Sequence, residues 1–136
     1  MKTLVYSYAW VEIFKASAAG EVAKERIESS DEAFTPDVIP AELTTKYLRA
    51  GEGQSSIRNW LSLTNGATEV LGINIPVAEE SARASLDLTK RAKERGLSKP
   101  GLADEIVLAT ACIKQAEVLT GDPHSKGLSG VVWLGM

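Results

Sequence analysis

The stretch Thr3-Leu4-Val5-Tyr6-Ser7-Tyr8-Ala9-Trp10-Val11-Glu12-Ile13-Phe14 changes its period partway along. Thr3 to Tyr6 is short, apolar and partly β-branched, whereas Trp10, Ile13 and Phe14 recur at the i, i+3, i+4 spacing of a helix face. A strand that feeds directly into a helix is the repeating unit of parallel sheets, because the helix returns the chain so that the next strand can run the same way. The alternation continues downstream. A helix is expected over Gly20 to Ser29, then a short strand at Ala33-Phe34-Thr35. The next helix has Asp37 as N-cap, Pro40 in its first turn, and Ile39, Leu43 and Tyr47 as its inward stripe. A helix carrying Ile57, Trp60 and Leu61 precedes a strand-like run from Thr68 to Ile73. The longest helical pattern extends from Pro76 to Arg95, with Ala78, Ala82, Ser85, Leu88 and Ala92 on one face and Gly96 closing it. Leu102, Ile106, Ala109 and Ile113 mark another helix before the closing strands Val118-Leu119-Thr120 and Val131-Val132-Trp133-Leu134. The fold class is α/β, a mostly parallel sheet with helices on both faces.

The 136 residues suit a single domain, 1–136, with no repeats, low-complexity tracts or linkers. With 44% hydrophobic and 24% charged residues, long disorder is excluded. No apolar run is long enough to span a bilayer, and Glu12 interrupts the opening stretch before a signal peptide could be completed, so a cytoplasmic protein is expected. Cys112 is the single cysteine and His124 the single histidine, which leaves no intrachain disulfide and no Cys/His set for structural zinc. Any bound metal must be held by carboxylates. A net charge of −3 excludes a strongly basic nucleic-acid coat while permitting a local basic patch.

In a parallel sheet the strand C-termini and the helix N-termini share one edge, and ligands bind there. The pattern puts Tyr6 on that edge after the first strand, Glu42 in the opening turns of the helix after the second, Asp104 at the start of a later helix, and Asp122 directly after Val118-Leu119-Thr120-Gly121. Each acid alone reads as a helix cap or dipole partner. Together they are like charges that destabilise one another without a cation, which points to a Mg²⁺ or Mn²⁺ site.

Four segments then carry a resemblance: Ser7-Tyr8-Ala9-Trp10-Val11-Glu12; Thr35-Pro36 through Ala41-Glu42-Leu43; Leu102-Ala103-Asp104 with Ile106 and Ala109-Thr110-Ala111; and Leu119-Thr120-Gly121-Asp122-Pro123-His124. In this order they resemble the PIN-domain family, specifically VapC-type toxins. The resemblance implies a three-layer α/β/α domain with a five-stranded, mainly parallel sheet, acting as a Mg²⁺- or Mn²⁺-dependent endoribonuclease. It implies Glu42, Asp104 and Asp122 as catalytic, metal-binding acids and the Thr120 hydroxyl as a supporting group. It also implies an RNA substrate, a cognate antitoxin protein and a homodimer. The family opens with an aspartate at the end of its first strand, where this chain has Tyr6. A neutral phenol brings no charge and more bulk, so the sequence as written is expected to be impaired or inactive. A non-catalytic PIN-like domain that binds antitoxin or RNA is the alternative.

Lys46, Arg49, Arg58 and Lys126 are the candidate RNA-steering cations, each otherwise a solvated surface charge. Lys90, Arg91, Lys93 and Arg95 could contact phosphate but read first as a solvated face suited to the negative end of a helix dipole. His124 reads as a turn residue rather than a general base, Cys112 as a small buried hydrophobe, and Trp10, Trp60 and Trp133 as core. A receiver-like signalling domain would need an aspartate at the end of the third strand. Leu71-Gly72-Ile73-Asn74 offers none.

Overall fold

The computed structural model describes residues 1–135. Five short strands, β1 (Lys2–Val5), β2 (Glu32–Pro36), β3 (Glu69–Leu71), β4 (Glu117–Thr120) and β5 (Val131–Trp133), pair in the order β3-β2-β1-β4-β5, and all four pairings are parallel. Six helices connect them: α1 (Ser7–Phe14), α2 (Ala18–Ser29), α3 (Val38–Arg49), α4 (Gln54–Ala67), α5 (Ile75–Glu94) and α6 (Leu102–Lys114). This is the expected α/β/α architecture with its five-stranded sheet. Among the described residues no helix is long and apolar enough to cross a membrane.

β1 is the central strand. Leu4 is in register with Phe34 on one side and Val118 on the other, and Leu4, Val5, Val118 and Leu119 are buried. Covered on both faces, such strands read as continuous apolar runs. Trp10 of α1, Ile39 and Leu43 of α3 and Val107 of α6 close over them. Trp10 stacks on Phe14, which stacks on Trp60, so the aromatic core continues outward to α4. Trp10 is fully core, whereas Trp60 and Trp133 are half-buried.

Three differences from the sequence reading have physical causes. The buried face of α5 is Val77, Ser81, Leu88 and Ala92; Ala78 and Ala82 are exposed, because the larger Val77 turns inward against α6 and takes the stripe with it. Cys112 is exposed rather than buried, as are Leu102 and Ile113, since α6 turns Ile106, Val107, Ala109, Thr110 and Ala111 inward. β3 is shorter than its apolar run: Thr68 still belongs to the end of α4, its N–H donating to the Thr64 carbonyl, and Gly72 ends the strand. Asp37 stands at the N-cap of α3 but makes no side-chain capping bond, while Asn74 caps α5 through the Val77 N–H. Gly96 follows α5 with φ +66°, the left-handed conformation expected of a closing glycine.

Buried hydroxyls tie α1 to the sheet. Trp10 Nε1–H donates to Thr35 Oγ1 at 3.2 Å, Thr35 and Thr68 share a hydroxyl bond of 2.7 Å, and Thr68 donates to the Thr64 carbonyl at 2.8 Å. Because the Thr68 proton is committed to that carbonyl, Thr35 must donate to Thr68, and the relay has one direction. Thr35→Val keeps the shape but leaves the Trp10 N–H without an acceptor, so it is expected to cost about 1–3 kcal/mol in urea unfolding. Thr35→Ser retains the relay and should lose less. Equal stability of Thr35→Val and the parent would show that the relay contributes nothing.

Candidate functional site at the carboxyl edge of the sheet

The strand order reverses between β1 and β4, and the chain exits both strands at this switch point, where a crevice opens in open α/β sheets. Tyr6 is the residue that leaves β1. Its N–H donates to the Leu119 carbonyl at 3.3 Å, and its side chain is 5% exposed. The phenol hydroxyl donates to Asp104 Oδ1. Asp104, in the first turn of α6, accepts the Gly101 N–H on Oδ2 at 2.7 Å. Both carboxylate oxygens thus have donors from this chain. Burial is the main reason its pKa is raised, with Asp122 adding to the shift and the Gly101 N–H and His124 opposing it.

Asp122 leaves β4 and caps a short 3-10 turn, Pro123–Ser125. Its own N–H donates to Thr120 Oγ1 at 3.0 Å, which gives Thr120 a supporting part in holding the turn. Asp122 Oδ1 accepts from the His124 N–H at 2.9 Å and lies 3.0 Å from His124 Nδ1. Glu42, in the second turn of α3, lies on the rim of an open cleft of about 580 Å³ that Tyr6, Asp122 and His124 also line. Its pKa is raised, first by partial withdrawal from water and then by the charge of Asp122. The charge of Asp122 therefore reaches both other acids. Of the expected RNA-steering cations, Lys46 lines the cleft; Arg49 and Arg58 are exposed elsewhere, and Lys126 lies over the Trp133 ring at 5.3 Å.

Glu12, Lys15 and Tyr8 also line the cleft, and the sequence pattern does not mark them as site residues. Glu12 accepts the Ser17 hydroxyl at 2.5 Å and lies 3.6 Å from Lys15, and both Glu12 and Lys15 line the cleft. Their signal was only their spacing on α1. Tyr8 packs its ring on Gly121, where an added Cβ would come within 2.4 Å of the ring. The glycine before Asp122 is the trace of that contact. Among the described residues no group of three His, Cys, Asp or Glu side chains is arranged to hold a metal ion. Tyr6 and Gly101 take both oxygens of Asp104, and His124 takes Oδ1 of Asp122. As they stand, these residues do not fit a resident divalent cation.

A profile of the PIN domain matches residues 7–129. No curated protein matches the chain. Among solved structures, a toxin–antitoxin complex from Klebsiella pneumoniae superposes with TM-score 0.71 at 19% identity, covering 97% of each chain. VapBC-1 from nontypeable Haemophilus influenzae gives 0.71 at 17%, covering 98% of each. VapC20 from Mycobacterium tuberculosis, a toxin that cleaves the sarcin–ricin loop, gives 0.67 at 15%, covering 90% of this chain and 92% of its own. At these identities the likeness is one of fold.

His124 Nε2 donates to the Ser98 carbonyl at 2.8 Å while Nδ1 faces a carboxylate. Two acceptors around one ring favour the doubly protonated imidazolium, and the Ser98 carbonyl is the leading cause of its raised pKa, followed among the raising effects by Asp122. A raised folded pKa contributes stability that is complete below the unfolded value of about 6.5 and is lost as pH rises through the folded value. The stability difference between the parent and His124→Ala should therefore be largest below pH ~6.5 and shrink above it. Since this is the only histidine, its ring resonances can be followed directly by NMR, and Asp122→Asn should lower their midpoint. A parent midpoint at or below about 6.5 would overturn the imidazolium assignment.

Proposed function

Because the chain belongs to the PIN-domain family, we propose that it is the toxin-type member of a toxin–antitoxin pair, an RNA-directed nuclease scaffold whose hydrolytic centre is closed by Tyr6. The observation that carries this reading is the phenol hydroxyl donated to Asp104. PIN-domain nucleases in general depend on a divalent metal, and in this family the position of Tyr6 is that of an acid. A neutral phenol contributes no negative charge there and fills space between β1 and α6. Glu42, Asp104 and Asp122 remain the acids assigned to the centre, Mg²⁺ or Mn²⁺ the ion an opened centre would take, and Lys46 an RNA-steering cation.

Support for the partners comes from the fold. The structures it superposes on include toxin–antitoxin complexes, and this chain leaves large apolar side chains such as Ile75, Leu86 and Leu102 at least 67% exposed. An antitoxin and a second copy of the chain are the proposed covers for such surface, in a cytoplasmic setting. The second reading is a PIN-like domain that grips antitoxin or RNA without cutting. It is favoured by the internal pairing of Asp104 and Asp122, which lets the mouth stand without an ion.

The parent protein is expected to show negligible RNase activity. Tyr6→Asp should bind Mn²⁺ by calorimetry, cut RNA in a Mg²⁺- or Mn²⁺-dependent manner and become toxic on expression. The gain should be several decades in rate, each about 1.36 kcal/mol of restored transition-state stabilisation being tenfold. Asp104→Asn in that background should abolish both binding and cutting. If Tyr6→Asp folds, binds Mn²⁺ and leaves single-stranded and structured RNAs uncut, the binding-only reading replaces this one. Light scattering should give about twice 14.6 kDa, and a monomer at micromolar protein would remove the homodimer.

A further inference from the structure

Beyond the acidic mouth, three cations gather where the chain leaves the 3-10 turn. Arg91 Nη2, in the last turn of α5, and Arg95 Nη1, just past its end, both donate to the Lys126 carbonyl, the second at 2.7 Å. The Lys126 ammonium folds over the half-buried Trp133. In a chain of net charge −3, none of the three lies within ion-pair distance of a carboxylate among the described residues, not even of Asp87 one turn before Arg91. Arg91 Nε–H is buried without a partner. A guanidinium carries five N–H donors and the bonds to Lys126 use one nitrogen of each arginine, so most of their donor capacity is free.

Gathering like charges is unfavourable unless an anion joins them. The Arg91 and Arg95 guanidinium groups are pinned on one carbonyl, so little side-chain entropy is left to lose when a ligand binds. Lys90 and Lys93 on the same helix are exposed and make no such contact, which separates them from the pair. Asp122 and His124 sit at the other end of the same short turn, so a chain crossing the mouth would next meet these cations.

We propose that Arg91, Arg95 and Lys126 form a phosphate-binding ledge that holds the backbone of single-stranded RNA beside the acidic mouth, independently of metal. The ledge rests on the RNA-directed reading above and adds the residues that grip the strand. Cations beside an indole form the usual surface for unpaired nucleic acid, binding phosphates without reading sequence.

The test is fluorescence anisotropy in EDTA with a fluorescein-labelled oligouridylate of about a dozen nucleotides. The parent should bind with a marked salt dependence. Arg91→Gln/Arg95→Gln/Lys126→Gln should bind at least tenfold more weakly, with the slope of log K against log salt reduced by about 2, at roughly 0.7 per lost phosphate contact. Lys126→Gln alone leaves the clamped carbonyl in place, so it decides the matter should the triple variant fail to fold, and its slope should fall by about 0.7. Lys90→Gln/Lys93→Gln should bind like the parent. Parent-like affinity and slope in both ledge variants would overturn the ledge while leaving the RNA reading intact. Failure of the parent to bind the RNA at all would overturn both. Competition by polyglutamate as effective as by unlabelled RNA would assign the ledge to an acidic protein partner instead.

Discussion

Parallel pairing of β1 with both of its neighbours is the constraint from which the rest of the molecule follows. With Leu4 locked against Phe34 and Val118, every strand points the same way and every exit falls on one edge. The order then reverses across β1 and β4, so the chain leaves them in opposite directions along the sheet and a crevice opens between. Tyr6 and Asp122 are the residues at that gap because they follow Val5 and Gly121; α3 brings Glu42 to the cleft they line, and α6 sets Asp104 against the Tyr6 hydroxyl. Sheet topology, more than any local attraction, assembles the acids.

That assembly is costly, and the chain answers the cost with its own donors. Glu42 and Asp104 both hold their protons more tightly than usual, with desolvation as the first cause and Asp122 contributing to each. Asp104 is met by a backbone N–H and a phenol, Asp122 by a backbone N–H and an imidazole. A hydrogen bond to a charged group is among the stronger kinds, about 1.5–3 kcal/mol, so this arrangement offsets repulsion that in other circumstances a cation would relieve. The mouth is thus hydrogen-bonded from within at Asp104 and Asp122 and open at Glu42 and Lys46 on the cleft side.

The order of elements was legible in the sequence because buried parallel strands and amphipathic helices leave different periods. Element type was therefore read correctly even for strands of three or four residues. Which face of a helix turns inward was less legible: alanines at 78 and 82 and the cysteine at 112 fit a buried stripe on paper, and the faces that α5 and α6 turn inward are set only once the two helices pack together. At the mouth, the residues were found by asking which positions follow strands or open helices. Their bonds were not foreseeable. Nothing in Ser98 announces a carbonyl for His124, and Arg91 and Arg95 looked like solvated charges until the loop at Lys126 came within reach of both.

The phenol on Asp104 also has a meaning at the level of the gene. In the standard genetic code the two tyrosine codons differ from the two aspartate codons only at the first base. The paired mouth seen here and the opened mouth proposed for Tyr6→Asp are therefore neighbours in mutational space, a single transversion apart in either direction. The only side-chain hydrogen bond of Tyr6 among the described residues is the one to Asp104, so on the proposed reading a lineage could disarm and rearm such a domain without rebuilding the sheet or the turn at Asp122. On that proposal the hydrogen bond from Tyr6 is a reversible genetic latch, and sequences on either side of it can share one fold.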